Sequence, residues 1–331
     1  MKRQNNLFEQ ITDYNNVRLA FLKALRGNRK GLAAIRFCGN IEKNLIFVRE
    51  KLQSLDCGWG AYRSFTIKEP KIRVINTAPF RQRVMQHAIM NLVDPIFDRP
   101  MISNSYACRK GKGTHAAVQY AFSHCKSSPY FLKLDIRKYF DTIHHETLKM
   151  SVRRLIKDTR VLFLLNGVID SYETTPGRGV PIGNLTSQFF ANLYLAGMDH
   201  FILEKLHPSA YCRYMDDFII WSPSHTELKT MFTQINEYVN QNLKLTVKQP
   251  IFGKTGAGLP FLGFLIKDKG IFLLKKSKKR FKKRIKEINV SLFSGAITEA
   301  RAAEKARSAC SAINIARTKR LRKSVFETES V

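Results

Sequence analysis

Two carboxylates stand side by side, Asp216-Asp217, between apolar runs that otherwise read as the arms of a β-hairpin from Tyr211 to Trp221. Adjacent aspartates in such a setting repel each other and lose solvation, which is costly unless a cation compensates. A third aspartate, Asp135, lies 81 positions before Asp216 at the end of another apolar run, Phe131-Leu132-Lys133-Leu134-Asp135-Ile136. This spacing restricts the chain to folds that bring strand ends together from distant segments. Carboxylate oxygens suit a hard cation such as Mg²⁺, and the backbone carbonyl of Ile136 is a further candidate donor. Two such ions on shared carboxylates are what bridges a triphosphate to an attacking hydroxyl.

The chain carries 56 Lys and Arg against 26 Asp and Glu, a formal charge of +30. That exceeds what solubility requires and points to a polyanionic partner held in part by counterion release. An apolar fraction of 44% argues against disorder, and 331 residues accommodate two or three subdomains. No run of apolar residues is long enough to span a bilayer, and Met1-Lys2-Arg3-Gln4-Asn5-Asn6 leads into no secretory apolar segment. A cytoplasmic protein with no membrane partner is expected. The cysteines at 38, 57, 108, 125, 212 and 310 show no metal-ligand spacing and read as free thiols.

Periodicity predicts helices through the first forty residues, broken at Arg26-Gly27-Asn28-Arg29-Lys30-Gly31, and another over 41–55. A basic hairpin follows, Tyr62–Ile67 and Ile72–Ile75 around Lys68-Glu69-Pro70-Lys71, then helices over 80–96 and 114–125. From Tyr130 sheet and helix alternate: a strand over 130–136, helices over 146–165, 187–206 and 226–241, and a short strand over 243–247. Residues 267–331 hold 19 Lys and Arg against 6 Asp and Glu. They predict two basic helices, one striped by Phe281, Ile285, Ile288 and Leu292, the other by Ala303, Ala306, Ala309, Ile313 and Ala316. Lys275, Lys276, Lys278, Lys279, Lys282 and Lys283 cover the first and are candidates for tracking a phosphate backbone without reading bases.

Tyr214-Met215-Asp216-Asp217 resembles the YxDD signature of reverse transcriptases, and Asp135 with Phe140 is similar to their first catalytic block. The likeness extends through Phe140-Asp141-Thr142-Ile143-His144-His145, the Gly183–Gln188 block and Phe261-Leu262-Gly263-Phe264, over roughly residues 60 to 270. It implies a mixed α/β and α+β right-hand polymerase: a helical extension over 1–60, fingers over 61–129, a palm over 130–266 with a finger-side segment near 165–185, and a helical thumb over 267–331. The resemblance implies two Mg²⁺ ions, with Mn²⁺ as a substitute, held by Asp135, Ile136, Asp216 and Asp217. It makes Phe140 the steric gate against a ribose 2′-hydroxyl, hence dNTPs as substrates; its alternative is a core phenylalanine. Arg73, assisted by Lys71, is expected over the incoming nucleotide, because a guanidinium both stacks on a base and pairs with phosphate. Tyr214, Met215, Gly183 and Gln188 complete the substrate contacts, and Phe261-Leu262-Gly263 matches the primer grip. For the lysine that serves the leaving pyrophosphate, Lys248, after the short strand, is the first candidate and Lys254 its rival. Gly253-Lys254-Thr255-Gly256 is too short for a nucleotide-binding P-loop.

Most reverse transcriptases similar to this chain have glutamine before the glycine of the 183–188 block and proline after the serine; here the positions are Ile182 and Gln188. That departure resembles the enzymes of diversity-generating retroelements. The resemblance implies error-prone copying of a template-repeat RNA, with a structured spacer, into cDNA mutated opposite adenine. It also implies an RNA–DNA hybrid intermediate and a small basic oligomeric accessory variability protein as partners. The alternatives are a retron-like enzyme, which should keep the glutamine, and a group II intron-like enzyme, which should continue beyond the thumb. A binding protein of polymerase fold without catalysis would explain the charge but not the three aspartates and the gate.

Overall fold

In the computed structural model, which describes residues 2–68 and 72–327, caps and glycine breaks set the N-terminal helices. The Asp13 carboxylate accepts the amides of Asn15 and Asn16, separating α1 (Phe8–Ile11) from α2 (Tyr14–Leu25). Gly27, at φ 75°, makes the break before α3 (Leu32–Cys38), and α4 (Ile41–Gln53) follows. The hairpin is β1 (Arg63–Ile67) with β2 (Arg73–Thr77), and α5 (Phe80–Asp98) comes next. The Phe21, Phe37 and Phe80 rings stack and meet edge-on with centroids 5.1 to 6.3 Å apart. Truncating a buried ring of this kind costs about 3–5 kcal/mol.

The chain forms two compact units. One comprises the chain up to Cys108, Asp135–Leu206 and Gln234–Lys248. Besides α1–α5 and the hairpin it contains α7 (Tyr139–Thr142), α8 (His145–Arg153), α9 (Thr159–Asp170) and α10 (Leu185–Phe201), which runs on as a π-helical turn, Ile202–Leu206. The single helix expected over 146–165 is therefore two. Asp158 interrupts it: one carboxylate oxygen caps α9 at Arg160 and Val161, and the other accepts the amides of Leu7 and Phe8.

The other unit comprises Arg109–Leu134, His207–Thr233 and the chain from Gln249 onward. It contains α6 (Thr114–Ser127) and a four-stranded sheet of β3 (Tyr130–Asp135), β4 (Ala210–Tyr214), β5 (Asp217–Ser222) and β6 (Ile251–Lys254) in the order β4-β5-β3-β6. Phe218, Ile219, Ile220 and Trp221 are all buried, so β5 is covered on both faces. A smaller sheet, β7 (Leu259–Phe261), β8 (Phe264–Lys267) and β9 (Gly270–Leu273), leads into α12 (Lys275–Phe293), α13 (Glu299–Ser311) and α14 (Lys319–Glu327). Among the described residues the C-terminal segment thus holds three helices where periodicity indicated two, and its first residues complete a sheet. The expected alanine stripe is not the buried face of α13: Ala302 and Ala309 are buried and Ala303 is exposed, while Ile313 and Ala316 are buried in the connection to α14.

α11 (His225–Leu243) extends two residues past the expected end. The strand predicted over 243–247 does not form: Lys244 turns the chain at φ 54°, and only Val247 bridges, to Ile136. Among the described residues no helix is long and apolar enough to cross a membrane, and all six cysteines are free thiols.

Candidate active site

β4 and β5 pair antiparallel with Tyr214 opposite Asp217, which leaves Met215 and Asp216 as the hairpin turn. Met215 adopts the left-handed conformation, φ 59°, uncommon for a residue with a side chain. The turn is held from below, because the fully buried Arg213 donates a guanidinium N–H to the Met215 carbonyl at 3.0 Å. The Tyr214 hydroxyl accepts from Thr114 Oγ1 at 3.2 Å. Asp217 is paired with Lys133 at 3.0 Å, two residues before Asp135 on β3, the strand next to β5 in the sheet.

Asp135 ends β3, and its carbonyl accepts the Lys248 amide at 2.8 Å while its Oδ1 accepts from Lys248 Nζ at 2.7 Å. The buried Ile136 bridges to Val247 just beyond. Lys254, the rival, pairs with Tyr130 at the opposite end of β3. Of the two lysines, Lys248 is the one beside a predicted ligand. Among the described residues no three His, Cys, Asp or Glu side chains gather in a metal-holding arrangement. The expected donors, carboxylate and carbonyl oxygens, are of the chemistry Mg²⁺ takes, and in this structure Asp135 and Asp217 each hold a lysine ammonium at 3.0 Å or less.

A cavity of about 660 Å³ opens beneath the β1–β2 hairpin, lined on that side by Ile72, Arg73 and Val74. Lys138, Asp141 and Thr142 line it from the segment around Phe140, and Tyr172, Thr174 and Ile182 from the loop after α9. Phe140 is half-buried with its ring edge-on to Tyr139, and its carbonyl accepts the Val180 amide at 2.8 Å. Lys71 lies outside the described residues. Ile182 is fixed against β2 because its carbonyl accepts the Asn76 amide at 2.7 Å. Gly183 has no room for a side chain there: a Cβ would come within 2.5 Å of Ile75 Cγ2, and its φ is 108°. Gln188 is exposed on the first turn of α10.

Phe261 is buried, and Leu262 and Gly263 turn the chain at φ 49° and 89°. That turn is tied to the start of α12, since Ser277 Oγ donates to the Gly263 carbonyl at 2.7 Å. Lys275, Lys276, Lys278, Lys279, Lys282 and Lys283 are not buried, whereas Phe281, Ile285 and Ile288 are.

Several residues of these sites carry no clear mark in the sequence. Asn76, buried, accepts from Ser64 Oγ at 2.7 Å and donates to the Tyr172 hydroxyl at 3.2 Å, tying the hairpin to the far wall of the cavity. Burial pushes the Tyr172 phenol above its ordinary pKa. Arg280 and Arg284 line a second cavity with Leu262 and Gly263. Their i,i+4 spacing beside the Phe281–Ile285 stripe is the signal that could have found them. Lys133 and Arg213 give no signal beyond being charges inside apolar strands.

The family model for reverse transcriptase (RNA-dependent DNA polymerase) matches residues 67–250, more than half of the chain. The chain belongs to the reverse transcriptase family, and its mixed helix-and-sheet architecture is read within that family. It is 27% identical to Protein YkfC of Escherichia coli over 45% of this chain and 50% of that one. It is 24% identical to the putative COX1/OXI3 intron 1 protein of Saccharomyces cerevisiae over 61% and 26%, and 26% identical to the group II intron-encoded protein LtrA of Lactococcus lactis over 40% and 23%. The chain spans half or less of the length of these relatives. Among solved structures, apo telomerase from Candida Tropicalis superposes with a TM-score of 0.49 at 13% identity, covering 66% of this chain and 49% of that one.

Proposed function

We propose that the chain is an RNA-directed DNA polymerase that copies a template-repeat RNA into adenine-mutagenic cDNA for a diversity-generating retroelement. Family membership supports the polymerase. The single observation that carries the retroelement class is Ile182: it lines the cavity with Arg73, its backbone bonded to β2, where the wider family offers a glutamine amide.

In this reading Asp135 and Asp216, with the Ile136 carbonyl, are the metal ligands, and Asp217 supports them. Two Mg²⁺ ions, replaceable by Mn²⁺, would activate the primer 3′-hydroxyl and neutralise the triphosphate. Arg73 and Lys71 engage the incoming dNTP, and Lys248 is positioned beside Asp135 to serve the leaving pyrophosphate. Gly183, Gln188, Tyr214 and Met215 shape the nascent pair, Phe261-Leu262-Gly263 hold the primer end, and the α12 lysines track the backbone. The partners are the template RNA with its spacer, the RNA–DNA hybrid and a small basic accessory protein, in the cytoplasm.

A branched apolar side chain at 182 donates no hydrogen bond to the nucleotide, so pairing loses a geometric check worth about 1–2 kcal/mol, on the order of tenfold in fidelity. Ile182→Gln is expected to lower misincorporation opposite template adenine more than opposite the other bases, read by sequencing cDNA made on a defined RNA. An unchanged error spectrum would make Ile182 a packing residue. Phe140→Ala is expected to admit ribonucleotides in single-nucleotide kinetics with dNTP incorporation retained; unchanged discrimination would return Phe140 to the core.

A second reading, a group II intron-like reverse transcriptase, is favoured by the intron-encoded names among the relatives. Wild-type cDNA without an excess of errors opposite adenine would select it.

A further inference from the structure

Lys133 sits two residues before Asp135 on β3, on the same face of the strand, opposite Ile251 of β6. Its side chain is only 16% exposed. The ammonium lies 3.0 Å from Asp217 Oδ2 and donates to the Pro260 carbonyl at 3.0 Å, with the Phe261 ring centroid 5.8 Å away. A lysine so little exposed is rare unless paired. One nitrogen therefore joins the strand bearing Asp135, the hairpin bearing Asp216 and Asp217, and β7, which runs directly into the Leu262-Gly263 turn. The Pro260 carbonyl is a backbone acceptor, so this link fixes where the main chain before that turn stands relative to the Asp217 carboxylate.

We propose that Lys133 is a positioning residue that couples the primer-holding turn to the catalytic carboxylates. The inference rests on the assignment of Asp217 and the Leu262-Gly263 turn made above, and goes beyond it in giving the pair a shared anchor. Lys133 acts through Asp217 and the Pro260 backbone; it has no contact of its own with nucleotide in this scheme. It also places a fixed positive charge against Asp217, so that a divalent cation near that carboxylate competes with the ammonium for it.

The test is steady-state and single-turnover primer extension with Lys133→Met, which keeps the length of the side chain and removes the charge. Misplacement of reacting groups on the ångström scale lowers turnover by about 10- to 100-fold, and kcat is expected to fall in that range with the KM for dNTP within about twofold. Loss of the competing ammonium is expected to lower the half-saturating Mg²⁺ concentration by about threefold or more, a change that weakened packing alone would not produce. Lys133→Arg, which retains a charge and donors, is expected to recover part of the turnover. If Lys133→Met is too unstable to assay, Lys133→Gln, which keeps a donor for Pro260 without the charge, carries the same expectations. A kcat within threefold of wild type, or an unchanged Mg²⁺ half-saturation, would overturn the proposal and leave Lys133 a core ion pair. Asp216→Asn is assayed alongside: if it is inactive while Lys133→Met behaves as wild type, only the coupling fails, and if it is active the catalytic assignment itself fails.

Discussion

Asp216→Asn is expected to abolish dNTP incorporation while RNA affinity stays within a few-fold of wild type. Asparagine has the same shape, and the hairpin turn between Tyr214 and Asp217 keeps its anchor, the Arg213 guanidinium at the Met215 carbonyl. What changes is one carboxylate oxygen, which the proposed mechanism uses as an anionic metal ligand. Losing several kcal/mol of transition-state charge stabilisation slows turnover by about 10³-fold or more. RNA affinity responds to the whole surface, and one charge is a small part of a net +30. Single-turnover extension of a primed RNA, with filter binding of the same RNA, separates the two effects. Turnover above about a tenth of wild type would remove Asp216 from the metal site.

The carboxylate hairpin is legible in sequence because its signal is local: two apolar runs of strand length with polar residues at the turn. The same rule fails at Leu243-Lys244-Leu245-Thr246-Val247, which alternates like a strand but forms only a single ladder bridge, Val247 to Ile136. Alternation marks what a segment can bury, whereas a strand also needs a neighbour to complete its hydrogen bonds. The helix expected over 146–165 fails for a complementary reason. Its apolar spacing continues through the break, but Asp158 gives α9 its own cap and binds Leu7 and Phe8, a pairing 150 residues distant from Phe8 that no window along the chain detects.

Site residues divide in the same way. Asp135 stands out by itself as an anion ending an apolar strand, whereas Arg73, Gly183 and the Leu262-Gly263 turn are candidates only through the resemblance to reverse transcriptases; that a Cβ at position 183 would strike Ile75 is visible in the structure alone. Lys248 is the first candidate over Lys254 in sequence already; the antiparallel register of β3 and β6 places Lys254 opposite Tyr130, at the far end of β3 from Asp135. Lys133, Arg213, Asn76 and Tyr172 are hidden because their roles lie in pairings across sheet and loop. A lysine within an apolar strand is the one clue to the first, and only the position of Asp217 and Pro260 gives it meaning.

Replacing Lys276, Lys278, Lys279 and Lys282 together by glutamine is expected to weaken binding of RNA and RNA–DNA hybrid and to flatten its salt dependence. All four are exposed on α12, while the buried face of that helix comes from Ser277, Phe281, Ile285 and Ile288. Glutamine and lysine have similar helix propensities, so the substitutions leave folding nearly untouched. Lys283 is left in place because its 3.8 Å pairing with Glu287 would mix a helix-surface effect into the measurement. Each phosphate that is no longer neutralised takes about 0.7–0.9 off the slope of log affinity against log salt, so the fourfold variant would lose roughly three from the slope and about 10³-fold in affinity at 0.1 M salt. The slope is the decisive quantity, because a helix that merely loosened would bind more weakly by the same factor at all salt concentrations. A titration from about 50 to 300 mM salt, the range over which counterion release dominates, would move the nucleic-acid path off α12 if the slope stayed unchanged. In that case the cavity between the Leu262-Gly263 turn and Arg280 and Arg284 would have to hold the strand without the lysines beside it.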